Sequence, residues 1–235
     1  MPELVLRLSP SEQRRVSELV AALRTAVEVR VAESSPLMSA EFVEEFQSRL
    51  LAQHVFLGNP LFQESFDTAF IASAEIAGFS VSKAPDGQRF WDVEIDGRKI
   101  SLKSSRAKSL RKDTLHISKL TEAAWIQDCR TPAKRRQFTC KLFEIFCEEV
   151  DEIIQLRYFA ATGNYEMVGI PVALFAPILE LPSSEFRADG PTINIPVGQI
   201  PPDFTLKLDR SDAKITIANV LKSRCLVHGS WTLRT

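Results

Sequence analysis

The 235-residue sequence predicts an α/β fold of the α+β kind, in which helices flank a mixed β-sheet. Three observations predict it. Apolar residues recur at helical spacing over residues 1–78, alternation of period two begins after Gly78, and short alternating segments return near the end of the chain. We expect a single domain with a helical part over residues 1–78, a central core over residues 79–170 and a β-rich part over residues 171–235.

Start and stop signals place the individual elements. Ser9-Pro10 and Ser39 are suitable helix N-caps, and Gly78 ends the last N-terminal helix. The predicted helices cover about residues 9–31, 39–54, 60–77, 115–129 and 132–149. The predicted strands lie between residues 79 and 105 and over about residues 152–160, 165–170, 192–197, 204–209, 214–219 and 225–233.

Composition excludes several classes of protein. Hydrophobic residues at 45% and charged residues at 25% are typical of globular domains and exclude disordered or collagen-like chains. No apolar run reaches the roughly 20 residues of a membrane span, and the stretch MPELVLRLSPSEQRR lacks the apolar block of a signal peptide. We therefore expect no membrane association and a cytoplasmic location. Four cysteines without a CxxC pair favour buried thiols over zinc or disulfides.

The net charge of −1 hides a basic segment. Residues 98–141 contain 13 lysines and arginines but only three acidic residues, so the rest of the chain is acidic. A positive zone of this kind suits a polyanion such as nucleic acid, although a solvated basic surface without a partner is the simpler alternative.

The stretch FWDVEIDGRKISLKSS contains the strongest local signal, because Asp96-Gly97 is typical of a two-residue hairpin turn. Counting outward from this turn, Asp92 faces Ser101, and Lys103 lies two residues further along the second strand. Side chains alternate between the faces of a strand, so these three polar residues share one face. Directly opposed Cβ atoms are about 5 Å apart. The hairpin thus places an acid and a lysine close enough to meet at one phosphate and its metal ion.

Around this hairpin the sequence resembles the PD-(D/E)xK nucleases and, in its C-terminal part, type II restriction endonucleases. A preceding helix with acids, the hairpin, a following helix and a second β pair cover about residues 60–170 of that core. Two positions depart from the motif: Trp91 replaces proline before Asp92, and Ser101 replaces the acid two residues before Lys103. The resemblance implies a restriction-endonuclease-like fold and the Ser-x-Lys variant of the motif.

In that variant a glutamate from the following helix replaces the missing acid, and the resemblance makes Glu122 the candidate. The apolar residues expected around it at helical spacing favour a buried carboxylate, but a surface glutamate is an open alternative. The resemblance therefore assigns Asp92, Ser101, Lys103 and Glu122 to catalysis, with Asp92 and Glu122 as ligands of Mg²⁺. Other acids were weaker candidates: Glu94 opposite Lys99, Asp86 in a turn, and Glu64 and Glu75 on the preceding helix.

Six basic residues are candidates for DNA contacts. The segment SSRAKSLRK follows the hairpin without an acid, and RSDAK forms the tip of a later hairpin that could enter a major groove. The candidates are Arg106, Lys108, Arg111, Lys112, Arg210 and Lys214. Lys134, Arg135 and Arg136 form a possible second basic patch.

The resemblance implies Mg²⁺-dependent cleavage of double-stranded DNA at a short specific sequence, leaving 5′-phosphates. Two strands need two active sites, so we expect a homodimer, and a restriction enzyme implies a cognate DNA methyltransferase in the same genome. Two alternatives stay open: a non-catalytic DNA-binding protein with a decayed site, marked by Ser101, and a repair or recombination nuclease that recognises DNA structure.

Overall fold

The computed structural model describes residues 8–234. The first seven residues of MPELVLRLSPSEQRR, the stretch expected not to be a signal peptide, lie outside this range. The helices are α1 (Pro10–Leu23), α2 (Ala40–Leu51), α3 (Glu64–Ile76), α4 (Trp125–Asp128) and α5 (Pro132–Glu149). The strands are β1 (Val27–Val31), β2 (Val81–Lys83), β3 (Val93–Ile95), β4 (Arg98–Ser105), β5 (Thr114–Glu122), β6 (Glu152–Phe159), β7 (Asn164–Pro171), β8 (Thr192–Val197), β9 (Phe204–Asp209), β10 (Lys214–Leu221) and β11 (Leu226–Leu233). This confirms the predicted α+β class.

The strands form two sheets. The larger has seven strands in the order β1-β11-β7-β6-β4-β3-β2, and the smaller has four in the order β5-β10-β9-β8. In the larger sheet β4 and β6 are parallel, and the other neighbours are antiparallel. The sheet is therefore mixed, as predicted, with Ser101 and Lys103 on β4, next to the central strand β6.

Each sheet has its own apolar core. On the larger sheet, helices α2 and α3 pack phenylalanines against β11, with the rings of Phe46 and Trp231 centred 4.8 Å apart. On the smaller sheet, α5 and the 3-10 segment Val172–Glu180 cover one face, and Phe175 contacts Phe204 at 5.3 Å between ring centres. The opposite face of the smaller sheet carries polar side chains on β5, β8 and β9, whereas Thr216 and Ala218 of β10 are buried on it.

Local sequence explains where the helices begin. The Ser9 side chain accepts a hydrogen bond from the Glu12 amide while the Glu12 carboxylate accepts one from Ser9, which is a capping box. The Thr131 side chain accepts a hydrogen bond from the Lys134 amide and so caps α5, and Pro132 follows as its first residue, so this helix has the predicted bounds. Within residues 8–234, no helix is both long and apolar enough to cross a bilayer.

Two of the predictions for these elements were wrong. The first helix ends at Leu23, and Val27–Val31 forms an edge strand because it pairs with β11, so residues 1–78 are not wholly helical. Residues 114–122 form a strand, since Leu115 and Ile117 point into the core while His116 is exposed. A break in this alternation, where β5 and β10 shift register, mimics helical spacing. The C-terminal part is also divided, because β11 returns to the larger sheet.

Candidate active site

The hairpin has the register predicted from its turn. Val93 pairs with Ile100, Glu94 with Lys99 and Ile95 with Arg98. Asp96 and Gly97 both have positive φ, as a two-residue turn of this kind requires. Asp92 precedes β3, and its amide donates to the Ile100 carbonyl, which places its side chain beside Ser101.

Hydrogen bonds hold three polar groups of the hairpin together. The Lys103 ammonium donates to Ser101 Oγ at 2.7 Å and to the Leu102 carbonyl at 3.0 Å. Asp92 Oδ2 accepts from the Leu102 amide at 2.6 Å and from Ser101 Oγ at 3.3 Å. Lys103 Nζ lies 3.5 Å from the same Asp92 oxygen, and the Asp92 side chain is 42% exposed. One carboxylate is thus oriented by the backbone while it stays open to a ligand.

A second carboxylate reaches this cluster from helix α3. Burial, followed by the charge of Asp92, raises the pKa of Asp67 to about 6, and Lys103 partly opposes this rise. Two carboxylates that repel each other beside an ammonium group are typical of a site that holds a cation or shares a proton. The structure therefore places Asp67 in the same cleft as Asp92 and Lys103, near enough for their charges to act on one another.

The start of α3 is fixed by hydrogen bonds to the larger sheet. The Gln63 amide donates to Ser104 Oγ at 2.9 Å, and the Leu61 amide donates to the Tyr165 hydroxyl at 3.1 Å. Gln63 has a φ of 48°, which is strained for a residue other than glycine. These contacts hold the first turn of α3, and with it Asp67, against the catalytic strand.

Both carboxylates and Lys103 open into a cleft of about 970 Å³ between the two sheets. Residues 116–122 of β5 form its other wall, and Arg89 ties the two walls by donating to Thr121 Oγ1 at 3.0 Å. Gln155 lies in the cleft on β6 beside Lys103 and is 2% exposed. Its Nε2 donates to the His116 carbonyl at 2.9 Å, but its Oε1 has no partner.

Glu122 occupies a different environment from the one predicted. Because β5 is a strand, the apolar helical neighbourhood does not exist, and the Glu122 side chain is 78% exposed. Its carboxylate accepts a hydrogen bond from Lys119 at 2.7 Å, and this contact lowers its pKa. Glu122 lies on the rim of the cleft, whereas Asp67 is coupled to Asp92 by charge.

The remaining acidic candidates lie away from the Asp92 carboxylate. Glu75 and Asp86 are exposed, and Glu64 is exposed in the first turn of α3, one helical turn before Asp67. Glu94 pairs with Lys99 across the hairpin, but no ion pair joins them. The Lys99 ammonium instead lies 5.5 Å from the centre of the Trp91 ring.

The basic segment after β4 is exposed at the end of the larger sheet. Arg106, Lys108 and Lys112 line a second cavity of about 840 Å³, and Arg111 is also exposed. Within the described residues none of these four side chains forms an ion pair, and the Arg106 guanidinium lies 4.1 Å from the centre of the Phe62 ring. Ala107 lines both cavities, so the segment leads away from the catalytic cleft.

The other basic candidates are already engaged. Arg210 donates to Asp189 at 2.8 Å, and Lys214 donates to Asp212 at 2.6 Å, so neither cation of the hairpin tip is free. The second basic patch is also not intact. Arg135 is buried and donates to backbone carbonyls, and Arg136 donates to the carbonyls of residues 179 and 181.

The donor set suits a hard divalent cation. Among residues 8–234 there is no group of three or more His, Cys, Asp or Glu side chains that could hold a metal ion. Asp67 and Asp92 nevertheless supply two carboxylates to one cleft, and Mg²⁺ is commonly held by one or two carboxylates together with substrate phosphates and waters. The residues therefore fit Mg²⁺ once a phosphate is present.

Two residues of this site were missed from the sequence, and each left a signal. Asp67 lies between Phe66 and Phe70, so its helix face is partly buried, where a solvated carboxylate is unexpected. Gln155 interrupts the apolar run EIIQLRYF, which the parallel pairing with β4 buries. A polar residue at the centre of a buried strand is an informative exception.

Known proteins resemble this chain over most of its length. A solved structure described as a restriction endonuclease in complex with substrate DNA covers 60% of this chain and 62% of its own, with 18% identity and a TM-score of 0.33. The type II restriction enzyme SmaI of Serratia marcescens is 26% identical over 217 residues, which cover 84% of this chain and 82% of that enzyme. The family model SmaI, described as type II site-specific deoxyribonuclease, matches residues 8–233. The chain therefore belongs to the SmaI family of type II site-specific deoxyribonucleases and is a restriction endonuclease that cleaves DNA.

Proposed function

We propose that this enzyme hydrolyses phosphodiester bonds of double-stranded DNA at a short specific sequence, with Mg²⁺, and leaves 5′-phosphates. The observation that carries the proposal is the cluster of Asp92, Ser101 and Lys103 on one hairpin, completed by Asp67 from α3, in a cleft between two sheets. Family membership supports DNA cleavage, and the donor set supports the metal.

Asp67 and Asp92 would hold the metal. The chemistry that Mg²⁺ supplies when bound is neutralisation of charge at the phosphate and a more acidic water. In the protein without metal, the charge of Asp92 raises the pKa of Asp67, so the two carboxylates repel each other. A bound cation would relieve this repulsion. Glu122, on the rim of the same cleft, is the alternative second ligand.

The chain's own groups position the reactants. Lys103 would donate to the cut phosphate and orient the attacking water, which stabilises negative charge as it develops on the phosphorus oxygens. Ser101 keeps the ammonium in place through its 2.7 Å hydrogen bond but brings no charge of its own. The Leu102 amide holds Asp92 in one orientation. The exposed cations from Arg106 to Lys112 would bind phosphates beside the cut.

Partners and location follow from the proposed reaction. Cutting two antiparallel strands requires two copies of the site, so we propose that the enzyme acts as a homodimer. A cognate DNA methyltransferase in the same genome would protect the host, and both proteins would act in the cytoplasm. The decayed-site alternative is less favoured, because Asp67 would supply the carboxylate that Ser101 cannot.

Cleavage of unmethylated DNA tests the reaction. The purified protein is incubated with a pool of duplexes whose central segment is randomised, in Mg²⁺ or in EDTA, and the cut ends are sequenced. Discrete Mg²⁺-dependent cut sites are expected, and ligation of the ends without prior phosphorylation would establish 5′-phosphates. Binding without cleavage in Mg²⁺ would contradict the proposal and favour a decayed site.

Matched variants test the residues. Asp92→Asn and Lys103→Met should lose cleavage by about 100-fold or more while DNA binding is kept. Glu94→Gln and Lys99→Met remove the same charges from the same hairpin outside the cleft and should cut normally. Equal losses in both pairs would indicate damage to the hairpin and not to a catalytic group. Sedimentation of the protein with a cognate duplex would measure the oligomeric state.

A further inference from the structure

The open face of the four-stranded sheet has no role in the chemistry described above. Along β8 and β9, residues alternate between the apolar core and this face, so Asn194, Thr205 and Lys207 point outward while Ile195 and Leu206 are buried. On β5, His116 is exposed on the same outer side, opposite to the buried Ile117. The face is thus polar on β5, β8 and β9, while Thr216 and Ala218 of the intervening strand β10 are buried.

The polar residues of this face form a line across the sheet. Asn194 pairs with Lys207, and Lys207 pairs with Thr216. Thr216 is itself buried, and its Oγ1 donates to the Ser118 carbonyl at 2.8 Å, which connects the line to the exposed Ser118 on β5. Neighbouring strands lie about 4.8 Å apart, so the line spans about 14 Å. Successive base pairs are about 3.4 Å apart, and the line therefore matches about four base-pair steps.

This line leads into the catalytic cleft. His116 and Ser118 line the same cleft as Asp92 and Lys103. The Gln155 side chain connects the two walls, since it donates to the His116 carbonyl and lies beside Lys103 on the neighbouring parallel strand. A duplex whose phosphate reaches Lys103 would therefore bring the base pairs next to the cut towards this face.

The side chains on the face suit base edges. The Lys207 ammonium forms no ion pair within residues 8–234, and the acid on the same face, Asp209, lies 3.9 Å from Lys214. Burial and then the charges of Lys207 and Lys214 lower the pKa of His116, so its ring is neutral at pH 7 and offers both a donor and an acceptor. Asn194 also offers both. Base edges in the major groove present donors and acceptors, whereas phosphates present only acceptors.

We propose that the open face of the four-stranded sheet reads base edges in the major groove, with Lys207 and Asn194 as specificity-determining residues. The proposal rests on the DNA cleavage proposed above and assigns the reading of the sequence to a surface distinct from the phosphate-binding segment at Arg106–Lys112. Lys207 contacts an acceptor on a base edge, and Asn194 makes a donor and acceptor pair further from the cut.

The randomised duplex pool distinguishes base contacts from phosphate contacts. Wild type, Lys207→Ala, Lys207→Met and Asn194→Ala are compared in Mg²⁺, after thermal melting has shown that each variant is folded. Lys108→Ala serves as the phosphate-contact comparison, and Lys83→Ala, exposed on the far edge strand β2, as the control for loss of a charge. Lys207→Met retains most of the side-chain stem if the alanine variant does not fold.

The Lys207 and Asn194 variants should each relax the preference at one or two base pairs by about tenfold or more, with the other positions read as in wild type. Lys108→Ala should lower affinity for all sequences alike. It should also lower the slope of log affinity against log salt by about one, the change expected for one lost phosphate contact. The proposal is wrong if the Lys207 and Asn194 variants cut the wild-type sequences with wild-type relative rates, or lose affinity uniformly. A wild type that cuts no duplex would overturn the proposed function itself.

Discussion

Replacing Asp67 with asparagine should make the protein more stable and less active at the same time. Burial and the neighbouring Asp92 raise the pKa of Asp67 from 3.8 to about 6. Each pKa unit corresponds to 1.36 kcal/mol, so the ionised carboxylate destabilises the metal-free fold by up to about 3 kcal/mol. Asparagine has nearly the same shape and no charge, so Asp67→Asn removes this cost.

The pH dependence has a definite sign. Because the folded protein binds the Asp67 proton more tightly than the unfolded chain does, the cost is absent below about pH 4. It grows as the pH rises towards 6 and is complete above that value. Urea unfolding in EDTA should therefore show Asp67→Asn more stable by about 1–3 kcal/mol at pH 7.5, and the difference should disappear near pH 4. The corresponding rise in melting temperature is about 2–4 °C per kcal/mol.

The second half of the test measures Mg²⁺ binding and DNA cleavage. Mg²⁺ should raise the melting temperature of wild type more than that of Asp67→Asn, because binding to the folded state stabilises it. Cleavage should fall by about 100-fold or more. Glu75→Gln, on the same helix and exposed, should change neither property. A variant that is less stable than wild type at pH 7.5, or that cuts normally, would show that Asp67 is not a strained carboxylate of the metal site.

Two further predictions concern packing and DNA affinity. A Cβ at Gly169 would overlap the carboxylate of Glu152 and the ring of His228, so Gly169→Ala should destabilise the protein by about 3 kcal/mol in urea unfolding. As the control, Gly190→Ala would make only ordinary contacts and should change the stability little. Arg106→Ala should weaken DNA binding and lower the slope of log affinity against log salt by about one in a fluorescence titration, and an unchanged slope would exclude a phosphate contact.

The hairpin could be predicted from the sequence because its information is local. Asp96-Gly97 fixes the turn, and the turn fixes the register that brings Asp92, Ser101 and Lys103 together. The face that Lys103 shares with Gln155 depends instead on the pairing of β4 with β6, about 50 residues later in the chain. Such contacts are set by topology and not by neighbouring residues, which is why Gln155 was missed.

The helix predicted around Glu122 is wrong for a related reason. Residues 114–122 alternate cleanly only up to Ser118, after which the shift in register against β10 moves Leu120 to the buried side. The spacing from Leu115 to Ile126 then resembles a helix, although residues 114–122 form a strand and the helix that follows begins only at Trp125. An irregular strand cannot be distinguished from a short helix by periodicity alone. Phe66 and Phe70 mark a partly buried helix face beside Asp67, a signal that the exposed acids Glu64 and Glu75 of the same helix lack.

The unpaired oxygen of Gln155 indicates a function for this side chain beyond packing. A buried polar atom without a hydrogen bond costs about 1–3 kcal/mol, and such a cost in a cleft is usually offset by function. Gln155→Met removes both the unpaired Oε1 and the hydrogen bond to the His116 carbonyl. One change relieves a cost and the other creates one, so the two should roughly cancel and stability should change by less than about 1 kcal/mol.

Cleavage should respond differently. The variant removes the hydrogen bond that joins β6, the strand paired with that of Lys103, to the wall that carries His116. We expect the rate at saturating DNA to fall by about tenfold or more while the affinity for DNA in EDTA is kept, so that Gln155 acts as a positioning residue. Gln155→Glu retains only an acceptor, and because a carboxylate cannot donate to the His116 carbonyl, this variant should not recover the rate. If Gln155→Met instead lost several kcal/mol of stability and cut DNA at the wild-type rate, the side chain would serve the fold alone, and the link between β6 and β5 would have no part in catalysis.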